Sequence, residues 1–192
     1  MQPLLQPGRW LSALVLGACA LLPAAGLALP PTAAEGSVAG QENPGGNRWR
    51  ELVLDRRQRA LLVMDRGREL RRFPVAVGRP GWETPEGQFR VIEMVADPVW
   101  EHPATGQHVP PGPRNPLGSR WIGFHRDCSG RAGFNGREHL VLQGCVTAGF
   151  HGTPNRTTVG QAVSHGCVRL YDEHARELFN LVEVGTPVTV LP

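Results

Sequence analysis

The segment 150–170, FHGTPNRTTVGQAVSHGCVRL, contains a cysteine and two histidines, the residue types of nucleophilic acyl transfer. Cys167 follows His165 and Gly166, while His151 lies upstream, beyond a loop rich in Gly, Pro, Asn and Thr. Such residues allow sharp turns, so this loop can bring His151 back to Cys167. Only a few per cent of a free thiol is ionised at neutral pH, and a neighbouring imidazole activates it by taking its proton. We therefore predict that Cys167 and His151 form a nucleophile–base pair held as an ion pair.

The residues next to Cys167 suggest where the negative charge of an acyl-transfer intermediate is stabilised. Gly166 has no side chain and leaves room for a substrate carbonyl. The backbone N–H groups of Gly166 and Cys167 are expected to face the developing oxyanion. If Cys167 also opened a short helix, the helix N-terminus would lower the pKa of its thiol.

The ordered string SHGCVRL, with an upstream HGT and the C-terminal GTPVTV, resembles the catalytic domain of YkuD-type L,D-transpeptidases, which are bacterial cell-wall enzymes. A second match is TPEGQF at 84–89, similar to the family's Thr-Pro-x-Gly-x-Phe turn before a strand. The resemblance covers about residues 49–192. It implies a mainly β fold, sandwich-like or barrel-like, with one or two short helices near the C-terminus.

The same resemblance assigns roles to individual residues. The nucleophile falls on Cys167 and the general base on His151. Three further residues line the oxyanion side of the site: Ser164, His165 and Gly166. Arg169 is placed where it would bind the substrate. Trp121, at the start of the apolar segment 121–124, is expected to form a wall of the cleft.

The resemblance also implies the reaction, an acyl transfer on peptidoglycan stem peptides. Cys167 would attack the peptide bond between the third residue, a diamino acid such as diaminopimelate, and D-Ala, and an amine of a neighbouring stem would resolve the thioester as a 3→3 cross-link. Water as the acceptor would make the protein an L,D-carboxypeptidase, and a protein lysine would make it an enzyme that anchors a protein to the wall. No metal or organic cofactor is implied.

Two other interpretations of the cluster stay open. His151, His165 and Cys167 are also zinc-ligand types, although no CxxC or HxxxH spacing accompanies them. A wall-binding domain that keeps the fold without turnover is the rival from another functional class. Single cysteines and histidines are also commonly buried structural residues.

Composition limits the remaining possibilities. The 192 residues include 24 Gly and 18 Pro, which is typical of a turn-rich, mostly β protein. All 20 basic residues are arginine, so a lysine nucleophile or Schiff base is excluded. The net charge of +3 is small and scattered, which argues against nucleic acid as a partner. We expect a monomer.

The N-terminus has the pattern of a targeting segment. Residues 1–28 comprise Arg9, an apolar run and a small-residue stretch, as in a signal peptide or an uncleaved membrane anchor. The sequence before Cys19 resembles a lipoprotein box, which would make that residue a lipid anchor. Residues 29–48 are predicted to be a linker and residues 49–192 the catalytic domain. Each alternative places this domain outside the cytoplasm, in the periplasm or cell wall.

Export agrees with the other two cysteines. Cys128 and Cys145 can pair in an oxidising compartment and would then clamp a hairpin formed by residues 129–144.

Alternating apolar residues and turn signals predict the local structure. Strands are expected at 51–54, 60–64, 68–77, 87–95, 121–124 and 186–191, with a long irregular segment at 97–120. A helix is predicted after Asp172, which would cap it, because Ala175, Leu178, Phe179 and Val182 recur on one face.

Overall fold

A computed structural model describes residues 49–102, 105–134, 139–142 and 144–192. The predicted targeting segment and linker, 1–28 and 29–48, lie outside the described residues. The strands are β1 (Arg50–Asp55), β2 (Ala60–Asp65), β3 (Arg68–Pro74), β4 (Val77–Gly78), β5 (Gly87–Arg90), β6 (Glu93–Ala96), β7 (Trp100–Glu101), β8 (His108–Val109), β9 (Arg120–Asp127), β10 (Arg131–Phe134), β11 (His139–Leu142), β12 (Val146–His151), β13 (Ala162–Ser164), β14 (Val168–Arg169) and β15 (Pro187–Leu191). A 3₁₀ turn spans Arg156–Thr158, and helix α1 spans Asp172–Leu181. The prediction of a mainly β fold with short helices late in the chain is confirmed.

The larger sheet has five strands in the order β3-β2-β1-β15-β5. Its β1–β2 hairpin turns at residues 56–59 and joins the strands predicted at 51–54 and 60–64. The last strand, β15, lies parallel to β1 and so joins the two ends of the described chain. Leu52 and Leu54 of β1 are fully buried, in keeping with alternate residues facing the core.

The second sheet carries the candidate site and has four strands in the order β14-β12-β9-β6. Phe124 and Phe150 from this sheet stack with ring centroids 4.8 Å apart, and Phe124 also meets Phe89 of β5 at 5.5 Å. Both sheets and α1 therefore share one hydrophobic core.

The prediction of a single strand at 87–95 is wrong. The chain forms β5 in the first sheet, bends at Val91 and Ile92, and continues as β6 in the second. The alternation of apolar residues slips by one position at this bend. The strand predicted at 68–77 also divides, because β3 ends at Pro74 and β4 pairs with β13 instead.

The prediction that Asp172 caps the helix is also wrong. The capping position is Tyr171, and the Asp172 carboxylate instead accepts hydrogen bonds from the backbone N–H and hydroxyl of Ser119, at 2.7 and 2.9 Å. Sequence reasoning placed the helix correctly because its buried face, Ala175 and Leu178, has helical spacing.

Strands β10 and β11 form an antiparallel hairpin between Cys128 and Cys145, and the structure has a disulfide linking these two residues. Trp82 packs against the hairpin and donates its indole N–H to the carbonyl of Phe134 at 3.0 Å. Across residues 49–192, as far as the structure describes them, no helix combines the length and apolar character needed to cross a bilayer.

Candidate active site

Strands β12 and β14 bring the two ends of the predicted catalytic segment together. They run parallel, with Phe150 opposite Val168 and His151 opposite Arg169. Phe150 and Val168 are fully buried in the core, so the alternate positions project from the other face of the sheet. One position earlier, Cys167 comes beside Gly149, whose backbone N–H is directed at the sulfur. His151 and Cys167 thus share one face of the sheet. Their backbone positions are offset by two residues, which is about 7 Å along the strand direction.

The ring of His151 is held in one orientation and one tautomer. Its Nδ1 lies 2.6 Å from the carbonyl oxygen of Gly152, an acceptor, so Nδ1 carries the proton and Nε2 has the free lone pair. The residue is only 4% exposed, and this burial lowers its pKa from 6.5 to about 4. At neutral pH the imidazole is therefore uncharged and ready to accept a proton at Nε2.

The carbonyl that orients His151 is itself fixed by close packing. The Asp172 carboxylate lies against Gly152, so that a Cβ at this position would overlap its Oδ1. The same carboxylate holds Ser119, and Gly152 donates its N–H to the carbonyl of Arg120 at 3.3 Å. The first turn of α1 thus supports the loop that follows His151.

Trp121 has a different position from the one predicted. It lies opposite His151 on the neighbouring strand β9, with ring centroids 6.0 Å apart, and donates its indole N–H to Glu93 at 2.9 Å. Only 8% of the residue is exposed, so it packs behind the imidazole and has little surface to offer a substrate as a cleft wall. A strand-start tryptophan in the sequence does not reveal which partner it will pack against.

Cys167 is half-buried and its environment favours the neutral thiol. Burial raises its pKa, while the Gly149 N–H and the charges of Arg169 and Arg131 act in the opposite direction. The sulfur lies 3.7 Å from the carbonyl of Thr147, to which the thiol donates. The residue precedes β14, so the conditional expectation of a helix starting at Cys167 is not met. Together with the low pKa of His151, these facts favour a neutral thiol–imidazole pair over the predicted ion pair in the unliganded protein.

Ser164 shapes the turn that presents the cysteine. Its buried hydroxyl donates to the carbonyl of Cys167 at 2.5 Å and accepts the N–H of Gly166 at 3.2 Å. Gly166 has a φ of +113°, a region that side chains other than glycine's rarely tolerate. Because the Gly166 N–H is directed at Ser164, it does not face an oxyanion position in this conformation, contrary to the prediction for that group.

Three arginines surround His165, and two of them, Arg169 and Arg131, also act on the Cys167 thiol. Sequence reasoning singled out only Arg169. Arg169 is half-buried and its backbone bonds to Ala76 in both directions, at 2.9 and 3.0 Å. Arg131, from the hairpin, and Arg79, after β4, come from distant parts of the chain. Neither lies within a recognisable motif, so only the tertiary structure brings them to the site.

His165 is exposed beside Cys167 and packs edge-on against Trp82, with centroids 5.0 Å apart. Its Nε2 accepts a hydrogen bond from the guanidinium of Arg79, and burial and three neighbouring arginines lower its pKa. Among the described residues no three His, Cys, Asp or Glu side chains are grouped to hold a metal ion.

Comparison with known proteins identifies the family of the chain. The family model of the YkuD L,D-transpeptidase catalytic domain matches residues 50–190. A putative L,D-transpeptidase YqjB of Bacillus subtilis is 31% identical over 140 residues, covering 72% of this chain and 69% of the relative. A putative L,D-transpeptidase YkuD of Bacillus licheniformis is 26% identical over 155 residues, covering 81% and 73%.

Among solved structures, an L,D-transpeptidase from Mycobacterium smegmatis superposes with a TM-score of 0.51 at 25% identity. The match covers 75% of this chain and 59% of that protein. The chain therefore spans between about three fifths and three quarters of the relatives described here. It belongs to the YkuD family of L,D-transpeptidase catalytic domains.

Proposed function

We propose that the protein is a peptidoglycan L,D-transpeptidase that forms 3→3 cross-links through an acyl-enzyme on Cys167, with His151 as the general base. The observation that carries this proposal is the tautomer of His151. Its Nδ1–H is bound to the carbonyl of Gly152, which leaves Nε2 free to accept a proton on the face of the sheet that also carries Cys167.

In the first half-reaction the donor is a stem tetrapeptide. The Cys167 proton passes to His151 Nε2 while the sulfur attacks the carbonyl carbon of the peptide bond that joins the third residue to D-Ala. Since the free pair is neutral, this transfer is coupled to attack and does not precede binding. The C–N bond then breaks, the imidazolium gives its proton to the leaving amine, and D-Ala departs from a thioester.

In the second half-reaction an amine of a neighbouring stem attacks the thioester. His151 takes a proton from this amine and returns it to the sulfur as the C–S bond breaks. One amide is exchanged for another, and the enzyme is regenerated without a cofactor. The Cys167 N–H and His165 are assigned to the oxyanion side, Ser164 and Gly166 to shaping the turn, and Arg169 to binding the substrate. Trp121 acts through His151, as a positioning residue.

We further propose that residues 49–192 act outside the cytoplasm as a monomer, following a targeting segment at 1–28 and a linker at 29–48. This assignment is supported by the disulfide between Cys128 and Cys145, because disulfides persist in oxidising compartments. Tethering through a membrane anchor or a lipid on Cys19 is compatible with the same location.

The test is turnover of a purified tetrapeptide donor with an amine acceptor, followed by liquid chromatography and mass spectrometry. We expect release of D-Ala and a cross-linked product from the wild type, and neither from Cys167→Ala. His151→Asn, which removes the proposed general base, should reduce turnover. Its matched control, His108→Asn, removes an exposed histidine and should retain turnover. Tripeptide without cross-linked product would identify a carboxypeptidase, and transfer only to a protein lysine would identify an anchoring enzyme. Failure of the folded wild type to release D-Ala would refute the proposal.

A further inference from the structure

Arg131 reaches the turn of the candidate nucleophile from the disulfide-closed hairpin. Its Nη1 lies 3.3 Å from the position that a Cβ would take at Gly166, the residue before Cys167. The guanidinium stacks over Trp82 at 5.0 Å from the ring centroid, and its Nη2 is 3.5 and 3.4 Å from the carbonyls of Gly81 and Glu83. A positive charge is therefore held in a defined place next to the thiol.

Arg79, which follows β4, contacts the same turn. Its backbone N–H donates to the carbonyl of Ser164 at 3.1 Å, and its guanidinium donates to Nε2 of His165. Its Nε–H is buried and has no hydrogen-bond partner among the residues that the structure describes. A buried donor without an acceptor is unfavourable by itself, and a bound anion would satisfy it.

Among the described residues neither arginine forms an ion pair, although the Glu83 carboxylate lies close enough to Arg131 to interact with its charge. Some other arginines do form ion pairs, as Arg71 does with Glu177 and Arg156 with Glu173. Around the cysteine, within the part of the chain that the structure describes, neither Arg79 nor Arg131 has a carboxylate within 4.0 Å of its guanidinium nitrogens. A guanidinium group without a carboxylate partner can bind an anionic group of a ligand.

We propose that Arg131 and Arg79 together bind a carboxylate of the donor stem peptide beside Cys167. This inference rests on the proposed function. Guanidinium groups suit this task because their fork of N–H donors matches the two oxygens of a carboxylate. A donor with diaminopimelate carries two carboxylates close to the scissile carbonyl, one on the side chain of the third residue and one on the terminal D-Ala.

The hairpin is what brings Arg131 into range. Arg131 begins β10, three residues after Cys128, and the disulfide to Cys145 ties the two ends of the hairpin together. Gly133 and Trp82 are in close contact, since a Cβ at Gly133 would be 2.9 Å from the indole ring. The hairpin is thereby closed against Trp82, and Arg131 faces the turn that ends at Cys167.

The test is a binding measurement that does not depend on turnover. Donor peptides are titrated calorimetrically into Cys167→Ala protein, alone and combined with Arg131→Gln, Arg79→Gln or, as the matched control, the exposed Arg72→Gln. Four donors are compared. The full acid keeps the carboxylates of both diaminopimelate and D-Ala. Two forms lack the carboxylate of the third residue, one by amidation and one by lysine in place of diaminopimelate, and the fourth form ends in D-alaninamide. The melting temperature of each variant reports whether it is folded.

We expect Arg131→Gln and Arg79→Gln each to weaken binding of the full acid about ten-fold or more, and Arg72→Gln to leave it unchanged. One donor lacks the carboxylate that the arginines bind. Its affinity for the protein with both arginines should be about as low as the affinity of the full acid for Arg131→Gln or Arg79→Gln. Neither substitution should weaken the binding of this donor much further. This donor identifies which carboxylate is bound. Arg131→Lys should restore part of the affinity, because it keeps the charge but not the fork.

Two results would overturn the inference. Equal affinity of the wild-type arginines for the acid and for all amide or lysine donors would show that neither of these two carboxylates is bound. An equal loss for all donors on Arg131→Gln would show that the residue only holds the hairpin. Turnover by the wild-type enzyme in either case would leave the proposed function intact, whereas carboxylate-dependent binding without D-Ala release would support the subsite and refute the proposed reaction.

Discussion

The burial of a neutral histidine makes a quantitative prediction about stability and pH. The pKa of His151 falls from 6.5 to about 4 on folding, because its ring is removed from water. Between these values the unfolded chain binds the proton and the folded protein does not. Stability therefore increases with pH across this window: the contribution is complete above about pH 6.5 and is lost as the pH falls toward 4.

The size of the effect follows from the same two values. One pKa unit corresponds to about 1.4 kcal/mol, so the whole window is worth about 3 kcal/mol. Between pH 7 and pH 5 the folded protein should lose about 2 kcal/mol of unfolding free energy through this one residue. His151→Asn removes the titrating group while keeping a side-chain N–H that can donate to the Gly152 carbonyl.

The assay is urea unfolding of wild type and His151→Asn at several pH values from 5 to 7, with the disulfide intact. We expect the wild-type free energy of unfolding to fall by about 2 kcal/mol more than that of the variant over this range. His108→Asn, at a side chain that is 65% exposed, should follow the wild type to within about 0.5 kcal/mol. Parallel curves for wild type and His151→Asn would refute the conclusion that the folded protein holds this imidazole neutral.

Two single substitutions and one double substitution test the supports of the site. Gly152→Ala should destabilise the protein by about 1–3 kcal/mol and reduce turnover, because the new Cβ overlaps Asp172; an unchanged melting temperature and rate would contradict this packing. Ser164→Ala should cost about 1–3 kcal/mol in urea unfolding and slow acylation, since the Gly166 N–H loses its acceptor, and full activity would argue against a fixed turn. Replacing Cys128 and Cys145 by serine should lower the unfolding free energy by about 3 kcal/mol and raise the KM of acidic donors. An unchanged KM would show that the disulfide-closed hairpin does not contribute to substrate binding.

The parts of the structure that the sequence predicts are those with local causes. The hairpin turn before Ala60 and the helical spacing of Ala175 and Leu178 depend on neighbouring residues, and both are found. The strand predicted across Val91 failed because the chain changes sheets there, which only long-range pairing decides. Asp172 has the residue type of a helix cap, yet Ser119, more than fifty positions away, competes for its carboxylate.

The candidate site divides in the same way. The SHGC string and the upstream histidine identify Cys167 and His151 as candidates, because their residue types and order are unusual. Arg131 and Arg79 were not found from the sequence. They are two of 20 arginines, and neither stands in a motif that would set it apart. The neutral state of the pair was also missed, because it depends on burial, which residue types do not report.

The central claim is that Cys167 is a nucleophile assisted by His151, and intact-mass spectrometry after incubation with a carbapenem tests it most directly. A carbapenem presents a strained cyclic amide, so a correctly placed thiol should open it and retain its mass as a thioester. We predict one adduct on wild type, none on Cys167→Ala, and slower formation on His151→Asn. The absence of an adduct on folded wild-type protein with a free Cys167 thiol, or equal labelling of Cys167→Ala, would contradict the account.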